Sequence, residues 1–189
     1  MNTARPRIPY TYEDYKSLPA SMDRRYELLQ GELYTVPAPT TVHQRIALNV
    51  EIILALHVRR NALGEVFHSP VDVVFGANKE REVAQPDIVF ISAGRGDIVT
   101  REEIAGPPDL VVEILSPGTE ERDRNYKKTL YARSGVREYW IIDPDARTLE
   151  VYLPVEGGYG PARRHGEQDA VITPLLPGLT VSLAEVFGS

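Results

Sequence analysis

Leu110-Val111-Val112-Glu113-Ile114-Leu115 is an apolar run with a single acid inside it, and its surroundings set the fold. A run of this length that is closed by Pro117-Gly118 is typical of a buried strand. Helix formers follow from about Glu120 to Arg133, with Gly135 as the C-terminal stop. Glu138 to Ile142 predicts the next strand. A helix that connects two strands of one sheet implies a parallel crossover between them.

The chain before this run predicts a long helix and two further strands. Thr41 to Arg60 carries apolar residues at helical spacing, and Thr40 or Thr41 can cap it. Glu65 to Phe75 predicts one strand, and Gly76 to Val83 predicts a polar turn. Asp87 to Ile91 predicts a short buried strand. The core order is therefore helix, three strands, helix, strand, and short loops between strands indicate antiparallel pairs within a mixed sheet.

Shorter elements are predicted near both ends of the chain. They are a helix that starts near Tyr12, strands at Arg25 to Leu29, Glu32 to Val36 and Leu149 to Leu153, and a strand with a terminal turn between Val171 and Phe187. We predict an α/β protein of the mixed α+β kind, with helices flanking a mixed β-sheet in the order α-β-β-β-α-β. Extra N-terminal strands and a C-terminal β extension complete one domain over 1–189, whose first ten or so residues form a loose arm.

Composition excludes several kinds of protein. The chain has no cysteine, which rules out disulfides, thiolate-bound zinc and thiol nucleophiles. No apolar run reaches the roughly 18 to 20 residues that span a membrane, and the N-terminus lacks a signal-peptide pattern. We therefore expect a cytoplasmic protein with no membrane contact. Any metal must be held by carboxylates, carbonyls or histidine, and oxygen ligands suit Mg²⁺ or Mn²⁺.

The net charge of −6 counts mildly against a protein that coats nucleic acid. Local charge differs, because the segment 120–137 carries six basic residues against three acids. A positive surface around this segment is therefore compatible with an acidic protein.

Two acids stand in very apolar strands. Asp87 begins one strand and Glu113 lies inside the other, and burying such a carboxylate is costly unless it is paired, hydrogen-bonded or bound to a metal. A divalent cation between two neighbouring carboxylates would remove their repulsion and create a useful site. The alternative is that each acid lies at a strand end and contacts water or an arginine.

Asp123 and Lys127 follow at i and i+4 of the second helix. They could simply pair with each other on the helix surface. Alternatively, Lys127 points across the sheet toward Asp87 and Glu113, where its ammonium could orient a water or stabilise charge on a phosphate. Tyr131 lies one turn further on this face, whereas Lys128 is about 100° away and is expected to be solvated.

Several blocks carry a family resemblance. Taken in order and spacing from Tyr12 to Tyr152, four stretches resemble the Uma-type family of restriction endonucleases within the PD-(D/E)xK nuclease superfamily: Arg25 to Leu33, Gln85 to Phe90, Pro108 to Pro117 and Gly135 to Pro144. The resemblance implies the restriction-endonuclease-like fold and a Mg²⁺- or Mn²⁺-dependent endonuclease that hydrolyses phosphodiester bonds in nucleic acid, expected to be DNA.

The resemblance also implies site residues. Pro86-Asp87 is the PD element and Glu113 is the second acid, so that Asp87 and Glu113 are the metal ligands. The superfamily's usual lysine position, two residues after the second acid, is Leu115 here. The family resembles members whose lysine has moved to the following helix, where the matching residue is Lys127. The implied catalytic residues are Asp87, Glu113 and Lys127.

Three further candidates and two further hypotheses complete the predictions. His43 could line the site or merely pack or cap a helix, Glu32 could be a metal-proximal acid or face solvent, and Asp72 repeats the pattern of an acid in a strand. A homodimer would suit the cutting of both DNA strands. The alternative function is a nuclease-fold module that binds nucleic acid or protein without catalysis, and such a module has no need to bind Mn²⁺ at Asp87 and Glu113.

Overall fold

The computed structural model describes residues 8–19 and 25–188, so that most of the predicted N-terminal arm lies outside the described residues. A mixed sheet of six strands forms its centre, in the spatial order β12-β9-β8-β7-β6-β3. Only β7 and β8 pair in parallel, which confirms the predicted crossover. In chain order the strands are β3 (Gly64–His68), β6 (Ile88–Ser92), β7 (Leu110–Ile114), β8 (Glu138–Asp143), β9 (Thr148–Tyr152) and β12 (Arg163–Gly166).

A second, antiparallel sheet of four strands has the order β2-β1-β5-β4. Its members are β1 (Arg25–Leu29), β2 (Glu32–Val36), β4 (Val73–Phe75) and β5 (Glu82–Ala84). β1 and β2 form the predicted hairpin, which turns at Gln30-Gly31 with positive φ at both residues. β1 and β2 are the extra N-terminal strands that the sequence predicts. They are extended by β4, which lies within a longer predicted strand, and by β5, which the sequence does not predict.

Helices lie against both faces of the central sheet. The short α1 (Tyr12–Lys16) is capped by Thr11, and the long α2 (Thr41–Arg60) is capped by Thr40. After β7, a continuous helical segment consists of α3 (Glu120–Arg122), a π-helical turn (Asp123–Lys127) and α4 (Lys128–Ser134). Gly135 ends it in the left-handed conformation that the sequence predicts for this position.

The C-terminal part adds two small hairpins and a terminal helix. They are β10 (Pro154–Val155) with β11 (Gly158–Tyr159), β13 (Ala170–Ile172) with β14 (Thr180–Ser182), and α5 (Leu183–Phe187). This is the predicted β extension. None of the helices within the described ranges has the length and apolar character needed to cross a bilayer.

Strand alternation divides the core between the two faces of the central sheet. In β7, Val112 and Ile114 pack in the cluster that contains α2, whereas Val111 packs in the cluster that contains α4. Because side chains alternate along a strand, Glu113 lies on the same face as Val111, toward α4. The buried face of α2 anchors the other side, and each fully buried aliphatic side chain there stabilises the fold by about 1.5–3 kcal/mol.

The predictions for the segment 65–83 are wrong in detail. The single strand predicted from Glu65 to Phe75 is two strands, because the chain leaves the central sheet after β3 and enters the second sheet as β4. Pro70 lies at the break, and proline has no N–H to offer a strand ladder. The polar turn predicted from Gly76 to Val83 contains the start of β5, which pairs with β4. That all 189 residues form one domain stays a prediction.

Candidate active site

The structure brings Asp87 and Glu113 to the same place on two adjacent strands. Ile88 of β6 pairs with Val112 of β7 in an antiparallel register, and one further step along this register places Asp87 opposite Glu113. The Asp87 carboxylate accepts the backbone N–H of Ile114 through Oδ2 at 2.7 Å. The register thus explains why an acid before one strand meets an acid inside the next.

Lys127 reaches Glu113 from the helical segment after β7. Its Nζ lies 3.0 Å from Glu113 Oε1, 3.2 Å from Asp123 Oδ1 and 2.8 Å from Glu27 Oε1. Each sequence hypothesis about this lysine is therefore right in part, because Lys127 pairs with Asp123 but in the interior, and it contacts Glu113 but not Asp87 among its ion pairs in the described residues. Its side chain is almost fully buried, at 3% exposure.

A π-helical turn carries both Asp123 and Lys127. Such turns are rare and occur often at functional sites, because they widen a helix locally. Asp123 and Lys127 both face inward here, and Tyr131 of α4 donates its hydroxyl to Glu113 Oε1 at 2.6 Å. Two groups from one helical segment thus hold one carboxylate oxygen of Glu113.

Glu27 of β1 is a site residue that the sequence analysis did not single out. Its side chain is 1% exposed, and it contacts Lys127, the Arg122 guanidinium at 3.1 Å and the backbone N–H of Gln85 at 2.9 Å. The available signal was the same as for Glu113, an acid within the apolar strand that ends in Leu28-Leu29. The second sheet therefore contributes a carboxylate to the site that Asp87 and Glu113 form on the central sheet.

The site holds more acid than base. Glu27, Asp87, Glu113 and Asp123 contribute four carboxylates, against the ammonium of Lys127 and the guanidinium of Arg122. Burial raises the pKa of Glu113 well above its usual value, and the neighbouring carboxylates of Asp123, Asp87 and Glu27 add to that rise, against the opposing effect of Lys127. Burial likewise raises the pKa of Asp123.

At Glu27 and Lys127, attraction between opposite charges outweighs burial, so that each pKa shifts in the direction that favours the charged form. Burial alone would raise the pKa of Glu27, but the ammonium of Lys127, the N–H of Gln85 and the Arg122 guanidinium together outweigh it and the pKa is lowered. Burial alone would lower the pKa of Lys127, but three carboxylates raise it well above its usual value. The three carboxylates therefore favour the charged ammonium form of Lys127.

His43 is placed at the site by the first turn of α2. Its Nε2 lies 3.2 Å from Asp87 Oδ2, and its buried Nδ1 has no hydrogen-bond partner among the described residues. Burial would lower the pKa of His43, but the hydrogen bond to Asp87 and the charge of that carboxylate outweigh it, so that the pKa is raised. Of the two alternatives stated for His43, lining the site or merely packing or capping a helix, the structure shows the first in that His43 contacts Asp87.

Glu32 and Asp72 are not among the described residues that line the site. Glu32 is exposed on β2 and accepts the Tyr34 hydroxyl at 3.0 Å. Asp72 accepts the Tyr15 hydroxyl and the Gln85 side-chain amide, both at 2.8 Å. Asp72 therefore contacts a residue of the site, Gln85, without lining the site itself.

A cleft of about 420 Å³ opens over these groups. Glu27, Asp87, Glu113 and Lys127 contribute to its floor, and α2 forms one wall through His43, Gln44, Ala47 and Leu48. Asp87 is the most accessible of the four acids, with 19% of its side chain exposed, against 5% or less for Glu27 and Glu113. Asp87 is therefore the acid of this cleft that solvent reaches most easily.

The positive surface expected from the segment 120–137 is largely neutralised. Arg122 pairs with Glu27, Arg124 with Glu120 and Glu150, Arg133 with Glu82, and Arg137 with Asp109. Lys128 is half-buried over the ring of Tyr152, so that the prediction of a solvated lysine is also only partly right. Sequence alone could not show these partners, because most lie far away along the chain.

The donor set fits a hard divalent ion of the kind that the fold family implies. Asp87 Oδ1 and Glu113 Oε2 have no hydrogen-bond partner among the described residues, so each acid has one oxygen free of protein hydrogen bonds. No group of three acid or histidine side chains within the described ranges is arranged as a metal cage. Mg²⁺ commonly uses only one or two carboxylates, and water and phosphate complete its shell.

The match to a known family covers nearly the whole chain. The model described as "Uma2: Putative restriction endonuclease" matches residues 12–184. The chain belongs to this family. The structure is also similar, with a TM-score of 0.79 and 23% identity over 95% of this chain and 98% of the other, to the crystal structure of a "putative nuclease belonging to DUF820" from Anabaena variabilis ATCC 29413. The restriction-endonuclease-like fold is thereby confirmed.

A curated relative adds no function. The protein described as "Uncharacterized protein sll1609" of Synechocystis sp. is 23% identical over 146 residues, which cover 77% of this chain and 81% of the relative. The family match, which includes Glu27, His43, Asp87, Glu113 and Lys127, therefore carries the assignment to a nuclease family.

Proposed function

We propose that this protein is a metal-dependent nuclease that hydrolyses phosphodiester bonds in DNA. The observation that carries the proposal is the excess of acid around the floor of the cleft. Three carboxylates share one lysine and one arginine, and the fourth, Asp87, pairs with His43. A purely structural cluster would be expected to balance its buried charges. Membership of the Uma2 family supports the same reaction.

Asp87 and Glu113 would hold Mg²⁺ or Mn²⁺. A metal ion bound there lowers the pKa of a water molecule and polarises a phosphate oxygen. Lys127 supplies a fixed positive charge within 3.0 Å of Glu113 and can stabilise negative charge that develops on the phosphate. Glu27, Asp123 and Tyr131 position Lys127 and Glu113 through the contacts described above, and His43 positions Asp87.

Isosteric variants of the three central residues test the proposal. Asp87→Asn, Glu113→Gln and Lys127→Met should each reduce the rate of metal-dependent DNA cleavage by about 10² or more. The first two remove a charged metal ligand, and the third removes the positive charge that stabilises the reacting phosphate. Single-turnover cleavage of plasmid and oligonucleotide DNA would be compared in Mg²⁺, Mn²⁺ and EDTA. Thermal unfolding would show which variants keep the fold.

Asp109→Asn is the matched control, because Asp109 is a buried acid on β7's other end and lies outside the cleft. It should leave the cleavage rate within about twofold of wild type once the folded fraction is accounted for. Folded variants of Asp87, Glu113 and Lys127 that all cleave at the wild-type rate would refute the assignment. Saturable Mn²⁺ binding is the measurement that distinguishes a metal-dependent nuclease from a nuclease-fold module without catalysis.

A further inference from the structure

Two side chains of the site, Glu113 and Lys127, lie deep within a small cleft. Glu113 and Lys127 are each 3% exposed, and the cleft volume of about 420 Å³ is near the lower end of the range for pockets that hold one small molecule. A phosphate in a continuous duplex lies on the outside of a wide, stiff cylinder. Such a phosphate could approach the floor only if the cleft were broad enough to admit the flanking backbone as well.

Two loops narrow the cleft further. The Val36–Thr40 segment between β2 and α2 contains Pro37 and Pro39, and the Ser116–Thr119 segment lies between β7 and α3. A Cβ built on Gly118 would lie 3.6 Å from Cγ of Pro37, so the two loops approach each other to side-chain distance. The two loops therefore lie together along the cleft, and prolines restrict the first of them.

The rim of the cleft offers few free cations for a duplex. Duplex DNA carries one negative charge per about 1.7 Å of its axis, and proteins bind it by placing many lysines and arginines along both strands. At this rim, His68 pairs with Glu51 at 2.9 Å, whereas Arg25 donates to Ser69 Oγ at 2.8 Å and keeps a positive charge that can contact one phosphate. The arginines of the segment 120–137 are paired as described above.

One exposed face of α2 is apolar in its middle and positively charged at its ends. Leu48, Ile52 and Leu56 are all about half exposed and follow one another at i, i+4 and i+8, so that they form a continuous apolar stripe. Arg45 and Arg59 continue this face at its two ends, and neither has an ion-pair partner among the described residues. Leu48 also lines the cleft, so the stripe begins at the cleft mouth.

These observations fit an unpaired strand. Unpaired bases expose apolar faces, and aliphatic side chains that cover them bury apolar surface on both sides. A duplex hides its bases and presents sugar and phosphate. The stripe from Leu48 to Leu56 is about 12 Å long, which matches three or four stacked bases at about 3.4 Å each. Arg45 and Arg59 can neutralise phosphates beside such bases.

Resting on the proposed nuclease function, we propose that the substrate is an unpaired strand of DNA, either free or as the flap of a branched duplex. One nucleotide of that strand enters the cleft, and the adjoining bases lie along the Leu48-Ile52-Leu56 stripe between Arg45 and Arg59. A continuous duplex is a poor substrate.

Three labelled DNAs of one sequence test this proposal: a single strand, a blunt duplex and a duplex with an unpaired flap. Binding would be followed by fluorescence anisotropy with Ca²⁺, and cleavage with Mn²⁺. We expect the single strand and the flap to bind about tenfold or more tightly than the duplex, and cuts to fall in unpaired nucleotides. Equal or tighter duplex binding, or no binding of any DNA, would overturn the proposal.

The binding and cleavage arms separate the two proposals. A duplex cut as fast as the single strand would overturn the strand preference and leave the nuclease function intact. Preferential binding of the unpaired strand without cleavage of any DNA would overturn the nuclease function and leave the strand preference standing. Each outcome is therefore assigned to one proposal.

Matched surface variants locate the binding face. Ile52→Glu should weaken single-strand binding about tenfold, whereas Ile172→Glu, on β13 and 76% exposed, should not. Arg45→Ala should reduce the salt dependence of single-strand binding by about 0.7 in the slope of log K against log salt, whereas the exposed Arg101→Ala should not. If Ile52→Glu instead converts a dimer to a monomer in light scattering and leaves strand binding unchanged, the stripe is a contact between two copies and the proposal is wrong.

Discussion

A buried acid lies near each end of β7, and the surroundings shift the pKa values of the two acids in opposite directions. Asp109, directly before Leu110, accepts the backbone N–H of Ser92 at 2.8 Å and contacts Arg95 and Arg137 at 3.2 Å each. Burial would raise the pKa of Asp109, but the bond from Ser92 and the Arg95 guanidinium outweigh it, so that the pKa is lowered. Glu113, four residues later, has a raised pKa and shares one lysine with two other acids.

The comparison distinguishes Asp109, whose charge stabilises the fold, from Glu113, whose carboxylate remains available to bind a proton or a cation. Two arginines surround a single carboxylate at Asp109, so this end needs nothing from solution. At Glu113 the fold supplies fewer positive charges than negative ones, and a proton or a cation from solution must make up the difference. Acid-rich sites that open to a cleft are where ligands and reactions are expected.

Lys127→Met should have the largest effect on stability. It leaves three buried carboxylates without their common counter-charge, so we expect a loss of about 3–5 kcal/mol in the free energy of unfolding at neutral pH. Urea unfolding measures this loss, and acidification should restore part of it because protonation removes the uncompensated charge. Lys128→Met, on the next residue and over the Tyr152 ring, should change stability by less than about 1 kcal/mol. Equal effects of the two variants would show that Lys127 is an ordinary surface lysine.

Asp109→Asn should have the next largest effect. It removes the charge from a carboxylate held by two arginines and one backbone N–H, and bonds to charged groups contribute about 1.5–3 kcal/mol. The same urea measurement would show a loss of that size, with little change in Mn²⁺ binding. A large loss of Mn²⁺ binding in this variant would contradict the contrast drawn between the two ends of β7.

The pH dependence of stability should have opposite signs at the two ends. Because the folded-state pKa of Asp109 is lowered, its contribution is present above the unfolded-state pKa and is lost as the pH falls through the folded value. Because the folded-state pKa of Glu113 is raised, its contribution in metal-free protein is present at low pH and is lost as the pH rises from the unfolded value toward the folded one. Urea unfolding over a pH series would test this, since Asp109→Asn should remove the first slope and Glu113→Gln the second. The reverse assignment of the slopes would be incompatible with the charge balance described.

Glu113→Gln should have the smallest effect on stability, and in the direction of greater stability. The amide keeps an oxygen for Lys127 and Tyr131 and removes one excess negative charge, so we expect a gain of up to about 1 kcal/mol in metal-free protein. Thermal unfolding in EDTA measures it. A loss of several kcal/mol would mean that the charge on Glu113 stabilises the fold, as the charge on Asp109 does.

The sequence predicts the central frame well because that frame rests on local periodicity. The bounds of α2, the helical segment after β7 and its end at Gly135 all follow from spacing and capping. The parallel pairing of β7 with β8 follows from the helix between them. Asp87 and Glu113 are predicted because apolar strands rarely tolerate acids, and Lys127 is predicted from its helical spacing and from the family resemblance. All three residues line the same cleft.

The parts that were missed depend on contacts between distant segments. Glu27 reaches Lys127 across 100 positions of sequence through the second sheet, whose strands β4 and β5 are only three residues long and carry weak signals. The π-helical turn around Lys127 leaves no mark on the hydrophobic pattern. The ion pairs that neutralise the arginines between positions 120 and 137 join them mainly to acids elsewhere in the chain, so that charge counting over a window overestimates the positive surface.

The central claim is that the excess acid on the floor of the cleft is a metal site. Calorimetric titration of Mn²⁺ into wild type, Glu113→Gln and Asp109→Asn tests it most directly, because it needs no knowledge of the substrate. We predict saturable binding in wild type and in Asp109→Asn, and its loss in Glu113→Gln. Absence of binding in the wild type, or unchanged binding in Glu113→Gln, would contradict the claim.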